Sequence, residues 1–431
     1  MKTVLIIGAD FVPSSLPPAT RIRFFASHLP EFGWHPIVLT TKPEFYEGTF
    51  DPENEQLLKN DLEVIRVSAF STRVTRKLGI GDIGLRSLLQ QWNALKQICT
   101  SRKIDSILIP VPPSISMVLG RMAYRRFMIP YVIDYIDPWV TDSYNRVPKS
   151  QRPPKWAFAN ALSRTVEPYA LKHVAHITGV SRGTTDSVIK RYGWLSDERA
   201  TEIPYGAEAA DFDYLRSNPR RQTIFDNQDG YFHISYVGAC IPAMHETVRA
   251  LFEAISLGLQ ESPAIFSRIR LHFIGTSYAA NGNAPKDVQR LAREANIAEL
   301  VDERPARVSY LESLQLMLDS QALLLLGSNE KHYTASKSFP CILAKRPLLA
   351  IFHEASSVIE IMRQTEAGEL VTYSDIEGPG QKVGTIKLAL ERLIINEHSF
   401  SQPNMDALRQ YSTSAMSARL ADCLNSITSI R

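Results

Sequence analysis

The sequence predicts an α/β protein of two doubly wound domains facing a cleft, each with a parallel sheet covered by helices on both faces. Three observations predict it. Near-continuous apolar runs of strand length alternate with segments of helical periodicity, the pattern of parallel strands buried on both sides. The alternation stops once, at the polar, turn-rich stretch RSNPRRQTIFDNQDGY (216–231), and then restarts. A chain of 431 residues also exceeds what one hydrophobic core usually organises.

In chain order, VLIIGA (4–9), PIVLTT (36–41), LEVIRVSA (62–69), SILIPV (106–111), YVIDYI (131–136), HITGVS (176–181) and ATEIPYG (200–206) read as the strands of the first domain. SLLQQWNALKQICTSR (87–102) and WAFANALSRTVEPYALKHVA (156–175) read as two of its helices. After the break, FHISYVGA (232–239), RLHFIGTS (270–277), ALLLLGS (322–328), PLLAIF (347–352) and ELVTYS (369–374) form the second set. The expected division is therefore 1–215, 216–400, and a C-terminal helix within 401–431 that packs back toward the first domain. In such sheets ligands bind beyond the carboxyl ends of the strands, so the residues after each strand carry the functional information.

Composition bounds the function. The opening MKTVLIIGAD holds an apolar run much shorter than a membrane span and no small-residue cleavage site. Cys99, Cys240, Cys341 and Cys423 lie far apart without metal-type pairing, which predicts reduced thiols and a cytoplasmic location. Charge is divided unevenly, about +8 over residues 1–200 and about −5 over the rest. The cations gather in RMAYRRF (121–127) and RVPKSQRPPKW (146–156). Each is either a solvated face or a surface that leans on anionic lipid or a phosphorylated acceptor, at the inner face of the plasma membrane. No nucleic-acid partner is expected. No Asp-x-Asp, His-x-x-x-His or paired-Cys cluster occurs, so no metal ligand is assigned.

An ordered series of motifs resembles the bacterial family four glycosyltransferases. FVPSSLPPATRIRFFASHLPEFGWHPIVLTT (11–41) is similar to their opening loop, Arg-bearing helix and Gly-Trp turn. VIDYIDPW (132–139) resembles an Asp-x-Arg-Asp-Pro-Trp segment of a subset, with Ile136 in place of the Arg. ITGVSRGTTDSV (177–188) and EIPYGAEAADF (202–212) resemble the strand and the "I-P-N-G" hinge between domains. RVSYLESLQLMLDSQALLLLG (307–327) and SKSFPCILAKRPLLAI (336–351) resemble the nucleotide-sugar half. The resemblance implies the GT-B architecture, two Rossmann-like domains, and retaining transfer of a sugar from a nucleotide-sugar co-substrate, with no further cofactor.

The site residues follow from this and from the chemistry of a diphosphate, which backbone N–H groups and cations must meet. Ser14 and Ser15, before a helix that Pro17 and Pro18 would start, form one donor-binding lip or an ordinary turn. Gly238, Asn329, Tyr333, Ser336 and Lys337 form the other. Arg21 and Arg23 are expected at the acceptor. Asp137 and Asp134, after the fifth strand, are the candidate catalytic carboxylates, with turn capping by Asp137 as the alternative.

Two departures from the family pattern stand out. Pro340 occupies the position of a ribose-binding Glu, and His332 that of the first Glu of the paired-glutamate motif. After Gly238 only His245 and Arg249 are available where the family often places Arg and Lys. Pro340 is compatible with the first turn of a helix, whose N–H groups have no intrahelical partner. The function expected is a glycosyltransferase acting on a glycan or lipid-linked acceptor in polysaccharide or cell-envelope biosynthesis. A non-catalytic binding scaffold, or a nucleotide-sugar epimerase, stays open beside it.

Overall fold

The computed structural model describes residues 1–47, 50–140, 156–277, 284–329, 335–396 and 401–429. Backbone contacts divide the chain into two units, Met1–Tyr205 with Thr413–Arg431, and Gly206–Ser412.

The first unit holds seven strands, β1 (Lys2–Ile7), β2 (Trp34–Thr41), β3 (Glu63–Val67), β4 (Ser106–Val111), β5 (Tyr131–Tyr135), β6 (His176–Gly179) and β7 (Ala200–Glu202). They pair in the order β3-β2-β1-β4-β5-β6-β7, every pairing parallel. Their Val, Ile and Leu side chains are buried on both faces; β4 and β5 have no residue outside the core. The helix Pro17–His28 starts at its two prolines, whose missing N–H groups cost nothing in the first turn. The helix Ile83–Ser101 is capped by Asp82, which accepts from the Leu85 N–H at 2.9 Å. Strand order reverses between β1 and β4, so the loops after these two strands part and open a crevice.

The second unit repeats the plan with β8 (Phe232–Val237), β9 (Ile269–Ile274), β10 (Val301–Arg304), β11 (Ala322–Leu326), β12 (Leu348–His353) and β13 (Glu369–Tyr373), in the order β10-β9-β8-β11-β12-β13. Its switch point lies between β8 and β11. Ser309 and Glu312 form a reciprocal cap on the helix Tyr310–Asp319. Ser356 caps the helix Ser357–Thr365 through the Val358 N–H, at 3.2 Å.

Three features differ from the sequence pattern. β10, VDER, has too little apolar content to signal a strand, yet it pairs with β9 at the sheet edge. The helix Ala209–Ser217 belongs to the second unit, because it packs on the helix Tyr310–Asp319 and Asp211 accepts from the Tyr310 hydroxyl at 2.7 Å. The C-terminal segment is not one helix: a short turn Met405–Leu408 and a 3₁₀ turn Arg409–Tyr411 lead to an extended Ser412 before the helix Thr413–Thr428. That last helix lies in the first unit, against the helix Pro17–His28. Among the described residues no helix is long and apolar enough to cross a membrane.

Candidate functional site

In the first unit the loop after β1 carries Asp10, Ser14 and Ser15. Asp10 is buried and accepts from the Ser14 hydroxyl at 2.8 Å. Burial pushes its carboxyl up to about 6; the Ser14 bond opposes this and the nearby Asp82 adds to it. The Asp82 carboxyl is also raised by burial. Ser14 accepts in turn from the Leu16 N–H, at 3.3 Å. The Ser15 hydroxyl is enclosed and has no hydrogen-bond partner among the described residues. Arg66 of β3 reaches across to the Val12 carbonyl at 3.3 Å and ties this loop to the sheet edge. Sequence reading passed over Asp10, although a carboxyl two residues after a buried glycine-ended strand is its local signal.

Arg21 and Asp134, expected at the acceptor and in catalysis, are instead spent on one another inside the unit. Arg21 Nε and Nη2 donate to the two Asp134 oxygens at 2.6 and 2.9 Å, and neither side chain is exposed. Asp134 also accepts from the Thr178 hydroxyl at 2.7 Å, and Arg21 donates to the Ile203 carbonyl at 2.8 Å. With its acceptor capacity filled and water excluded, this carboxylate is not placed to take a proton from an acceptor. Arg23 is likewise buried, its guanidinium 4.7 Å from the Phe24 ring centre.

Asp137, on the segment after β5, is an exposed residue, and partial burial of its carboxyl raises it above the usual range. Near it stands Tyr205, which replaces the Asn of the hinge motif. The Tyr205 ring packs 5.4 Å from the Arg21 guanidinium. Its hydroxyl is enclosed without a partner among the described residues, and burial holds the phenol well above its ordinary range, opposed by Arg21 and reinforced by Asp134 and Asp137. An unpaired buried hydroxyl costs free energy unless a ligand satisfies it.

In the second unit the loops after β8 and β11 meet at the switch point. Gly238 has φ +150°, a conformation L side chains rarely adopt, and a Cβ built on it would lie 3.9 Å from Lys337 Cγ. The Asn329 N–H donates to the Ala243 carbonyl at 2.9 Å, joining the same two loops, and Asn329 itself is exposed. Lys337 is the cap residue of the helix Ser338–Leu343, with Pro340 inside the first turn. Burial lowers the Lys337 ammonium from its ordinary range; the neighbouring Cys341 opposes this and Arg307 adds to it. Among the described residues it has no ion pair. Ser336 is exposed beside it. Tyr333, and His332 with it, lie outside the described residues.

Of the two cations after Gly238, His245 begins the helix His245–Glu261 with its ring lowered by burial, and Arg249 turns to Glu294 at 3.8 Å. Arg125 and Arg126 of the first basic stretch are exposed, and Arg121 lies 5.8 Å from the Tyr169 ring centre. The second stretch, apart from Trp156, is outside the described residues. Among the described residues no three His, Cys, Asp or Glu side chains converge as metal ligands.

Residues 18–206 match the family model described as a glycosyl transferase 4-like domain. No curated protein matches the chain. Anabaena HepE in complex with UDP and glucose is 14% identical, with 99% of this chain and 100% of that one covered and a TM-score of 0.59. A UDP-forming α,α-trehalose-phosphate synthase from Burkholderia xenovorans, in complex with glucose-6-phosphate, is 10% identical over 99% and 100%, with a TM-score of 0.61. A glycosyltransferase from Rickettsia africae is 12% identical over 99% and 98%, at 0.55. At these identities the likeness is one of fold. Residues 18–206 are thus similar to a glycosyl transferase 4-like domain, and the two parallel-sheet units have the GT-B glycosyltransferase fold.

Proposed function

We propose that the protein is a metal-independent, retaining glycosyltransferase that moves a hexose from a nucleotide-sugar donor to a glycan or lipid-linked acceptor in polysaccharide or cell-envelope assembly. The observation that supports this most is Lys337 beside Gly238. A half-buried ammonium without a counter-ion among the described residues, next to a backbone that carries no side chain, suits an incoming diphosphate at the switch point of a doubly wound sheet. Lys337 neutralises charge on the leaving nucleotide, and Ser336 and Asn329 contribute hydrogen bonds. In the first unit, Ser14, Ser15, Asp10 and the Tyr205 hydroxyl receive the hydroxyl-rich substrate, and Asp137 is the carboxylate left to orient an acceptor hydroxyl.

Calorimetric titration with UDP, GDP and their sugar conjugates tests this, repeated on Lys337→Ala. One nucleotide should bind, and the variant should weaken it at least about tenfold, the scale of a lost charge-assisted contact. Absence of binding to all of them would remove the donor-site assignment. A second reading, a binding scaffold without catalysis, is favoured by the engagement of Arg249 with Glu294, which takes a cation from the loop after β8. Binding without transfer or donor hydrolysis would select it.

A further inference from the structure

Residues 68–81, between β3 and the helix Ile83–Ser101, take no part in the sites above, yet their conformation is fixed by a side chain that is 1% exposed. Arg86 donates to the carbonyls of Gly81 (3.2 Å), Phe70 (3.1 Å) and Phe45 (2.8 Å) and to the Thr72 hydroxyl (3.2 Å). The Phe70 N–H returns a bond to the Arg86 carbonyl at 3.0 Å. A turn of helix, Thr72–Thr75, tightens into the 3₁₀ turn Arg76–Leu78 and ends at Gly79 with φ +78°. The Ile80 N–H closes onto the Thr75 carbonyl at 2.9 Å, and Thr75 is the side chain turned inward.

What faces outward is apolar. Phe70, Val74 and Leu78 are 49%, 63% and 76% exposed. Val74 and Leu78 stand about one turn apart on the helical path, and Phe70 precedes it, next to the extended Ser71 cap. Arg73, Arg76 and Lys77 lie among these positions, all exposed. Arg76 has a surface pair with Glu47 at 3.1 Å, and Arg73 and Lys77 have no partner among the described residues. From residue 64 to residue 81 there is no acidic side chain. Exposed apolar groups interspersed with cations, on a segment anchored from beneath by Arg86, match the interface of a bilayer whose headgroups are anionic.

We propose that residues 70–78 dock the protein on an anionic lipid bilayer, with Phe70, Val74 and Leu78 entering the headgroup boundary and Arg73, Arg76 and Lys77 meeting lipid phosphates. The surface goes beyond the transferase reading: it says where the protein is held, not what it transfers. It is a different surface from the basic stretches 121–127 and 146–156, each of which the sequence alone left open as a solvated face or a surface leaning on lipid or a phosphorylated acceptor.

The test is flotation of the full chain, without nucleotide sugar, on vesicles of phosphatidylglycerol mixed with phosphatidylcholine and on phosphatidylcholine alone. The chain should float with the anionic vesicles only, and less as salt rises. Val74→Ser/Leu78→Ser should weaken binding about tenfold or more. Arg73→Gln/Lys77→Gln should weaken it roughly 25-fold, about fivefold per charge. All four side chains are exposed, so circular dichroism should be unchanged. The proposal is overturned if the chain stays off anionic vesicles, binds both kinds equally, or binds as before in both double variants. Self-association that the same variants abolish, without vesicle binding, would give the surface to a second copy and overturn it too.

Discussion

Arg21 holds both carboxylate oxygens of Asp134 across 113 positions of sequence, with neither side chain in contact with solvent. Through Thr178 and the Ile203 carbonyl the pair joins the first helix to β5, β6 and the segment after β7. Its chemistry is turned to cohesion of the first unit.

Asp134→Ala therefore leaves a guanidinium buried without its counter-charge and should lower unfolding free energy by about 3–5 kcal/mol. Arg21→Met with Asp134→Leu should recover much of that loss, because removing both charges also removes their desolvation. Urea unfolding of the three proteins measures it. Equal stability of Asp134→Ala and the parent would show the pair to be inert.

Tyr205→Phe should separate stability from function. The hydroxyl is enclosed without a partner among the described residues, so deleting it should leave stability unchanged or raise it by about 1 kcal/mol. If substrate satisfies that hydroxyl, transfer should fall at least about tenfold. Thermal unfolding and steady-state kinetics with the identified donor read the two effects; a loss of stability with unchanged turnover would assign Tyr205 to packing alone.

Asp10 and His272 act on acid stability in opposite directions. Asp10, raised from 3.8 to about 6, keeps a proton in the folded state that the unfolded chain releases, so its contribution is fully present below pH 3.8 and is lost as pH rises to about 6. His272, lowered to about 4 by burial and then by His233, stays neutral where the unfolded chain is charged; its contribution is present above 6.5 and is lost as pH falls to about 4. Relative to the parent, Asp10→Asn should make stability climb more steeply with pH between 4 and 6, and His272→Gln less steeply. Each difference is on the order of 3 kcal/mol across the window. Chemical unfolding at a series of pH values would show parallel curves if either group were unshifted.

Strands were legible because parallel strands buried on both faces write long apolar runs, and SILIPV fills β4 end to end. Where the expected strands ran on, as at Gly8-Ala9 and Gly238-Ala239, glycine marks the chain leaving the sheet. β10 was invisible, since an edge strand needs little apolar surface. In the site, Lys337 as the residue before a short proline-bearing helix follows from local rules. The fates of Arg21 and Asp134 do not: which charge finds which partner across 113 residues is decided by topology, and each alone looks like a ligand-binding group. The exposed apolar side chains at 70–78 were missed for a related reason, because the bonds of Arg86 decide which face of that segment is outside.

The helix Thr413–Thr428 has a consequence for biosynthesis. Met416, Leu420 and Leu424 are buried in the first unit, and the Met416 sulfur lies 3.5 Å from Arg21. The ribosome delivers them only after the whole of Gly206–Ser412, a delay on the order of tens of seconds at common elongation rates. Until then the nascent first unit waits with an open apolar seam along Pro17–His28, which makes that seam the natural ground for a chaperone and the last place where the newborn chain becomes native.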